Sequence, residues 1–220
     1  MTVINDTQST AGLSHLLGRP VETFERLSGG RNSQVFSITL DNGQKYAAKR
    51  YFRHESDSRD RQGVEFRSLQ FLWKQGVRCI PEPIESAPEI GWSVYEFAGE
   101  TKVNSRDVTA AKIDFSTDFL LDLSKLNGVP GSELIPPASE ACFSLAAIVE
   151  NINYRLEALS EATAQELVTF LRDEFRPALA FVVAWCRERS EATGISFTSE
   201  LDQQERTLSP CDFGFHNAVW

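Results

Sequence analysis

Apolar positions recur along the chain at two periods, and the change falls near residue 100. Before it, the pattern is that of strands. Val21, Phe24 and Leu27 mark a strand over 21–28, and the loop Gly29-Gly30-Arg31-Asn32-Ser33 follows. Val35-Phe36-Ser37-Ile38-Thr39-Leu40 is rich in apolar and β-branched residues, the composition of a strand. Asp41-Asn42-Gly43-Gln44 predicts a tight turn, because Asn and Gly tolerate the positive φ of a two-residue type I′ loop. Tyr46 to Phe52 is the returning strand, so 21–52 predicts a three-stranded antiparallel meander. A helix is expected over 61–75, where Glu65, Leu69 and Leu72 share one face, and Gly76 is its stop. Beyond the Pro81/Pro83 pair, short strands are expected at 84–87 and 92–97.

Ala98-Gly99-Glu100 reads as a hinge, and the period after it is helical. Val108, Ala111, Phe115, Phe119, Leu123 and Leu126 step by three or four, with Asn127-Gly128 to close the helix. Residues 128–138 carry three prolines and form a loop. Ser139 is a candidate cap for a helix reaching about Leu159. Thr163-Ala164-Gln165-Glu166 has capping-box spacing. It predicts a helix with Leu167, Phe170, Leu171, Phe175, Ala178, Leu179, Val182, Trp185 and Cys186 on one face, kinked or split at Pro177. The fold class that follows is α+β: a strand-rich region of about 20–98 with one helix, preceded by an extension of 1–19 and followed by a helical region over 99–220.

Composition narrows the function classes. The 220 residues are 41% hydrophobic and 24% charged, ordinary values for a globular chain. Against 22 Lys and Arg stand 31 Asp and Glu, a net charge of −9. Neither nucleic acid nor an anionic membrane is an expected partner of such a chain. No apolar run approaches the roughly 20 residues of a membrane span, and the start, Met1-Thr2-Val3-Ile4-Asn5-Asp6, lacks the regions of a signal peptide. Cys79, Cys142, Cys186 and Cys211 form no CxxC pair and only three His are present. A disulfide framework or structural zinc is not expected, and a cytoplasmic location is.

Four features carry candidate chemistry. Glycines 29 and 30, between two strands, let backbone N–H groups approach an anion such as a phosphate; glycines in hairpins also serve simply as turns. Ala47 and Lys49 alternate onto one sheet face, a flat surface for a base beside a cation for phosphates, although single lysines are more often solvated. Glu65 lies on the inward face of its helix, where a carboxylate requires a partner, and Lys49 is the candidate; a solvated helix edge is the alternative. Last, Asp212 and Asn217 stand in D-x-x-x-x-N spacing. In kinase catalytic loops that Asp accepts the proton of a substrate hydroxyl and that Asn binds magnesium. Asp, Gly and Asn also favour plain turns, and zinc on Asp212 and His216 would lack further ligands.

Taken in order, these elements resemble a protein-kinase-like phosphotransferase, and in detail the aminoglycoside phosphotransferase and choline kinase-like family. Leu27-Ser28-Gly29-Gly30-Arg31-Asn32-Ser33-Gln34-Val35-Phe36 is similar to that family's nucleotide loop. Glu65, Leu69, Leu72, Gly76 and Ile80-Pro81 are similar to its helix-to-strand passage. The resemblance spans roughly 20–220 and implies a two-lobe fold that transfers phosphate from ATP or GTP, with Mg2+, to a hydroxyl of a small molecule such as an aminoglycoside or choline. It implies that Gly29, Gly30, Asn32 and Ser33 cover the phosphates and that Lys49, held by Glu65, binds them beside Ala47. It further implies that the backbone at Glu96, Phe97 and Ala98 pairs with the base, that Asp212 is the catalytic base and that Asn217 holds a magnesium.

The sequence departs from that family at two places. Pro210-Cys211-Asp212 stands where His-Gly-Asp is usual. Asp212-Phe213-Gly214 also spells the kinase D-F-G metal motif, but 187–205 holds no upstream D-x-x-x-x-N, so the catalytic-loop assignment is preferred. The apolar Ala218-Val219-Trp220 reads as the start of a strand, and the family's second metal-binding Asp would follow it. From this an incomplete helical lobe is expected, in an inactive fragment of a longer phosphotransferase, with apolar surface bare at Phe119, Leu123, Phe175 and Val182. A nucleotide-binding pseudo-enzyme and a non-catalytic interaction domain are the other two readings.

Overall fold

Alternation along the strands gives the sheet two chemically different faces. The computed structural model describes residues 6–29, 32–52, 59–99, 101 and 103–219. The chain forms two compact units, Met1–Pro136 with Leu208–Trp220, and Pro137–Thr207. Its class is α+β, as expected. In the first unit β1 (Val21–Gly29), β2 (Ser33–Leu40) and β3 (Lys45–Tyr51) form the meander, and β4 (Pro83–Ala87) and β5 (Trp92–Glu96) a second hairpin. Among the described residues they make one five-stranded antiparallel sheet in the order β1-β2-β3-β5-β4.

Register explains two features of the sequence pattern. Val21 and Phe24 both reach the core at a spacing of three because a register shift lies between Val21 and Thr23, where an extra residue in a bulge restores the facing; Leu27, at a second shift between Arg26 and Ser28, is 38% exposed. The turn after β2 is not the expected type I′ loop. Of residues 41–44 only Gly43 has a positive φ, 80°. The Gly43 N–H donates to the Leu40 carbonyl at 2.9 Å, and the Asn42 side chain accepts from the Gln44 N–H at 3.1 Å. A glycine at that one left-handed position suffices when the loop is longer than two residues.

Phe36, Ala48 and Val94 stand side by side across β2, β3 and β5. With Ile38 and Trp92 they form the apolar face. Phe24 stacks on Phe36 at 4.4 Å between ring centroids and meets Trp92 edge-on at 6.0 Å. A helix that the pattern did not predict, α1 (Asp6–Leu17), covers this face. It inserts Leu13, which is fully buried, with Leu16 and Leu17 beside it. The apolar signal is confined to Leu13, Leu16 and Leu17 among Ser, Thr, Gly and Asp, too short a run for periodicity to register.

The opposite face receives α2 (Arg61–Lys74). Asp60 caps it, accepting from the Gly63 N–H at 2.9 Å, and Gly76, at φ 90°, follows its end. Its most buried residues are Gln62, Gly63 and Phe66, so the deepest line lies one step round from the Glu65-Leu69-Leu72 line. Gln62 escaped notice because it is polar. It is buried because its amide is satisfied: Nε2 donates to the Trp92 carbonyl at 2.8 Å and lies 3.2 Å from the hydroxyls of Ser86 and Ser93.

Still in the first unit, α3 (Ala110–Ser124) starts at Thr109, whose hydroxyl caps Lys112. In the second unit α4 (Leu145–Ala158) is capped by Ser144, not Ser139. The Phe143 carbonyl accepts from the Leu201 N–H at 2.7 Å, a bond that keeps this stretch outside the helix. Thr163 makes no capping box, and α5 (Gln165–Phe170) begins after Ala164. The box that forms is Asp202 with Glu205. A π-helical turn, Leu171–Phe175, joins α5 to α6 (Arg176–Thr193). It places Pro177 in the first turn of α6. Of the four positions expected to be bare, Val182 is 51% exposed, but Leu123 is only 2% exposed. Phe119 and Phe175 are half-buried. Among the described residues no helix is long and apolar enough to cross a membrane.

Leu13→Ala tests whether α1 belongs to the core. A buried Leu truncated to Ala loses about 2–5 kcal/mol. Chemical denaturation followed by tryptophan fluorescence should show a loss in that range, with the slope unchanged. A loss below about 0.5 kcal/mol, typical of a surface change, would mean that α1 does not seal the sheet.

Candidate functional site

Lys49 projects from β3 on the face that receives α2. Its Nζ donates to both carboxylate oxygens of Glu65, at 2.8 and 2.7 Å. The pair anticipated from alternation and helix facing therefore forms. It is neither sealed nor fully open: the Lys49 side chain is 24% exposed and that of Glu65 37%. Ala47 stands between Ser37 and Tyr95 in the neighbouring strands, and Val35 is the β2 partner of Lys49. Small and apolar side chains thus flank the ammonium on the same face.

Beneath the pair lies a polar layer that sequence reasoning missed. The Tyr51 and Tyr95 hydroxyls are 2.9 Å apart. Both phenols are buried. Burial first, and then the Glu65 charge, push both well above the ordinary phenol range, so both stay protonated. A neutral phenol both donates and accepts, so either hydroxyl can donate to the other. The layer continues through Ser93, whose hydroxyl lies 2.9 Å from that of Ser86. One signal was available: Tyr51 follows Lys49 by two residues, which places both on one face.

The glycine loop is seen in part. β1 runs through Gly29 and β2 begins at Ser33, so the strands take two residues assigned to the loop. The Asn32 carbonyl accepts from the Phe52 N–H at 3.0 Å, tying the loop to the end of β3. Gly30 lies outside the described residues. At the expected hinge, the Glu96 N–H donates to the Glu82 carbonyl at 2.8 Å and is committed to the sheet. Phe97 lies under the Lys45 ammonium, 4.0 Å from its ring centroid, and Ala98 is exposed.

Asp212 and Asn217 come together. The Asn217 amide donates to the Asp212 carbonyl at 2.9 Å and to its carboxylate at 3.1 Å. Asp212 has φ 59°, a left-handed value that Asp tolerates better than most residues. The loop is anchored at both ends. Phe213 packs on Phe119 of α3 at 5.7 Å, and the Val103 N–H donates to the Ala218 carbonyl at 3.4 Å. The Lys49–Glu65 pair and the Asp212–Asn217 pair belong to the same unit. Among the described residues no group of three or more His, Cys, Asp or Glu converges to hold a metal.

No protein-family model matches the chain, and no curated protein matches it in sequence. Among solved structures it is similar to a macrolide 2′-phosphotransferase type I, at 13% identity over 74% of this chain and 56% of that one, with a TM-score of 0.48. It is also similar to the Rio2 kinase of Chaetomium thermophilum, at 18% identity over 55% of this chain and 41% of that one, TM-score 0.37. The ADP/Mg2+-phosphoaspartate complex of the same kinase gives 17% identity over 55% and 40%, again with a TM-score of 0.37. The chain thus spans between 40% and 56% of the length of these structures.

Proposed function

We propose that the chain is the nucleotide-handling part of a phosphotransferase that moves a phosphoryl group from ATP or GTP to a hydroxyl of a small molecule, of the aminoglycoside or choline kind. The observation that carries this reading is the Lys49–Glu65 pair, with both carboxylate oxygens bound to one ammonium at 2.7–2.8 Å. Lysine heads are normally solvated. This one is drawn onto a sheet face beside Ala47, where a carboxylate fixes it and leaves it partly open to an incoming anion. In the proposed roles Lys49 binds the phosphates, and Gly29, Gly30, Asn32 and Ser33 close over them. The backbone of 96–98 borders the base. Asp212 takes the acceptor proton.

Magnesium would reach this chain through Asn217. Its amide nitrogen is turned to Asp212, so its oxygen, the atom magnesium requires, is at the other end of the group. One carboxamide beside one carboxylate suits an ion held chiefly by phosphate oxygens and water, as magnesium commonly is. Bound there, it would neutralise phosphate charge.

Two substitutions separate the roles. Lys49→Ala should weaken MgATP binding about tenfold or more, since a hydrogen bond to a charged group contributes about 1.5–3 kcal/mol. Titration calorimetry measures this, and unchanged affinity would remove the nucleotide reading. In a longer form of the chain that transfers phosphate, Asp212→Asn should leave MgATP affinity within about twofold while lowering transfer to an aminoglycoside or choline panel by about 100-fold or more, the range for a lost general base. Parallel loss of affinity and rate would make Asp212 a metal ligand instead. Nucleotide binding without turnover in a lengthened form of the chain would favour the pseudo-enzyme reading.

A further inference from the structure

Two residues of the sheet and two of α2 meet in matched pairs. Lys49 of β3 and Ser93 of β5 are cross-strand partners, so their side chains leave the sheet on one face. Lys49 reaches Glu65, and Ser93 reaches Gln62, three residues earlier on the helix. The two contacts differ in shelter. The Lys49 and Glu65 side chains are 24% and 37% exposed, whereas Gln62 is 6% exposed and Ser93 is fully buried. The Gln62 Nε2 donates to the Trp92 carbonyl at 2.8 Å and lies 3.2 Å from the hydroxyls of Ser86 and Ser93, which are themselves 2.9 Å apart. An amide nitrogen has two protons to give, and the three acceptors around this one all belong to the β4–β5 hairpin.

We propose that Gln62 is a positioning residue for the nucleotide site: it pins α2 to the β4–β5 hairpin and so keeps the Glu65 carboxylate where it aims the Lys49 ammonium at the phosphates. The inference rests on the nucleotide reading above. An anion that arrives at Lys49 competes with Glu65 for the ammonium protons, so the open contact is weakest when the site is in use. The buried contact lies out of the anion's reach. Three residues advance a helix by about 4.5 Å, so a slip or rotation of α2 at Gln62 carries the Glu65 carboxylate with it. Apolar packing is non-directional and would let the helix slide; a bond to a main-chain carbonyl does not. Gln62 is sealed between helix and sheet and acts on the nucleotide through Glu65 and Lys49.

This role differs in its signature from simple support of the core. A defect in packing weakens every ligand of the face alike and does not depend on Glu65. A misplaced carboxylate weakens only ligands that carry phosphate, and the weakening vanishes once the carboxylate is gone. The experiment is therefore a double-mutant cycle read by titration calorimetry with two probes, MgATP and adenosine. The proteins are the unaltered chain, Gln62→Met, Glu65→Gln and the double variant, with thermal unfolding recorded so that each is titrated while folded. Methionine keeps the length of the side chain and removes the amide. Gln62→Met should weaken MgATP about three- to tenfold, the range of one lost hydrogen bond, and leave adenosine within about twofold. In the Glu65→Gln background it should change MgATP affinity by less than about twofold, because coupled residues are not additive. Equal weakening of MgATP and adenosine, an undiminished effect without the carboxylate, or no effect of Gln62→Met or of Glu65→Gln would each overturn the positioning role. No MgATP binding by the unaltered chain, or no effect of Lys49→Ala, would overturn the nucleotide reading and this inference with it. If Gln62→Met does not fold, Ser93→Ala takes its place. It removes one hydroxyl and keeps the bond to the Trp92 carbonyl, so a smaller loss, about twofold for MgATP alone, is expected; equal loss for both probes, or none, would overturn the proposal.

Discussion

An ammonium and a carboxylate placed on the same face of a sheet must meet or remain in water, and here they meet. The Lys49–Glu65 contact joins β3 to α2 at 2.7 Å and sets how the helix lies on the sheet. Gln62, three residues before Glu65, then falls against Ser86, Ser93 and the Trp92 carbonyl. Phe66, one residue after Glu65, falls against Tyr95. A charge-assisted bond is strong only where its geometry is fixed, and the buried polar residues around it provide that fixing. Removing one partner would leave the other half-sheltered and uncompensated, the situation in which electrostatic losses are large.

The two faces of the sheet divide the work. The side covered by α1 is built from Leu13, Phe36, Ile38, Ala48, Trp92 and Val94 and does what apolar surface does, excluding water. The opposite side contains hydroxyls, an amide and an ion pair, each with a partner. Alternation makes this separation possible: Ala48 and Lys49 are adjacent in sequence and lie on opposite sides of one strand. One face is closed by α1, and the other keeps a half-open charged pair beside buried Phe66, Tyr51 and Tyr95.

How much of this was legible depended on how each signal is encoded. The strands were visible because apolar and β-branched residues cluster between turn residues, and the Lys49–Glu65 contact because alternation and helix facing converge on it. The turn at 41–44 was read too tightly, since Asn42 uses its side chain rather than a left-handed backbone. α1 stayed hidden because three leucines among small polar residues give no sustained period, and its burial comes from the sheet it covers. Ser139 and Thr163 had the chemistry of caps, but a cap works only where the chain enters a helix. Ser144 occupies the entry to α4, and α5 begins after Ala164 with no side-chain cap. Gln62, Tyr51 and Tyr95 were overlooked for one reason: a polar residue announces burial only when its partner is known, and here the partners come from distant strands.

The π-helical turn at Leu171–Phe175 has a consequence for the helices it joins. The Arg176 N–H reaches back five residues to the Leu171 carbonyl, so one more residue is accommodated than an α-helical turn would hold. Each residue advances an α-helix by about 100°. The apolar stripes of α5 and α6 are therefore out of phase by about one such step, and the single face drawn through Leu167, Phe175, Val182 and Trp185 breaks in the middle. Beyond the turn, Phe181 at 72% and Trp185 at 54% exposure lie on the open side of α6.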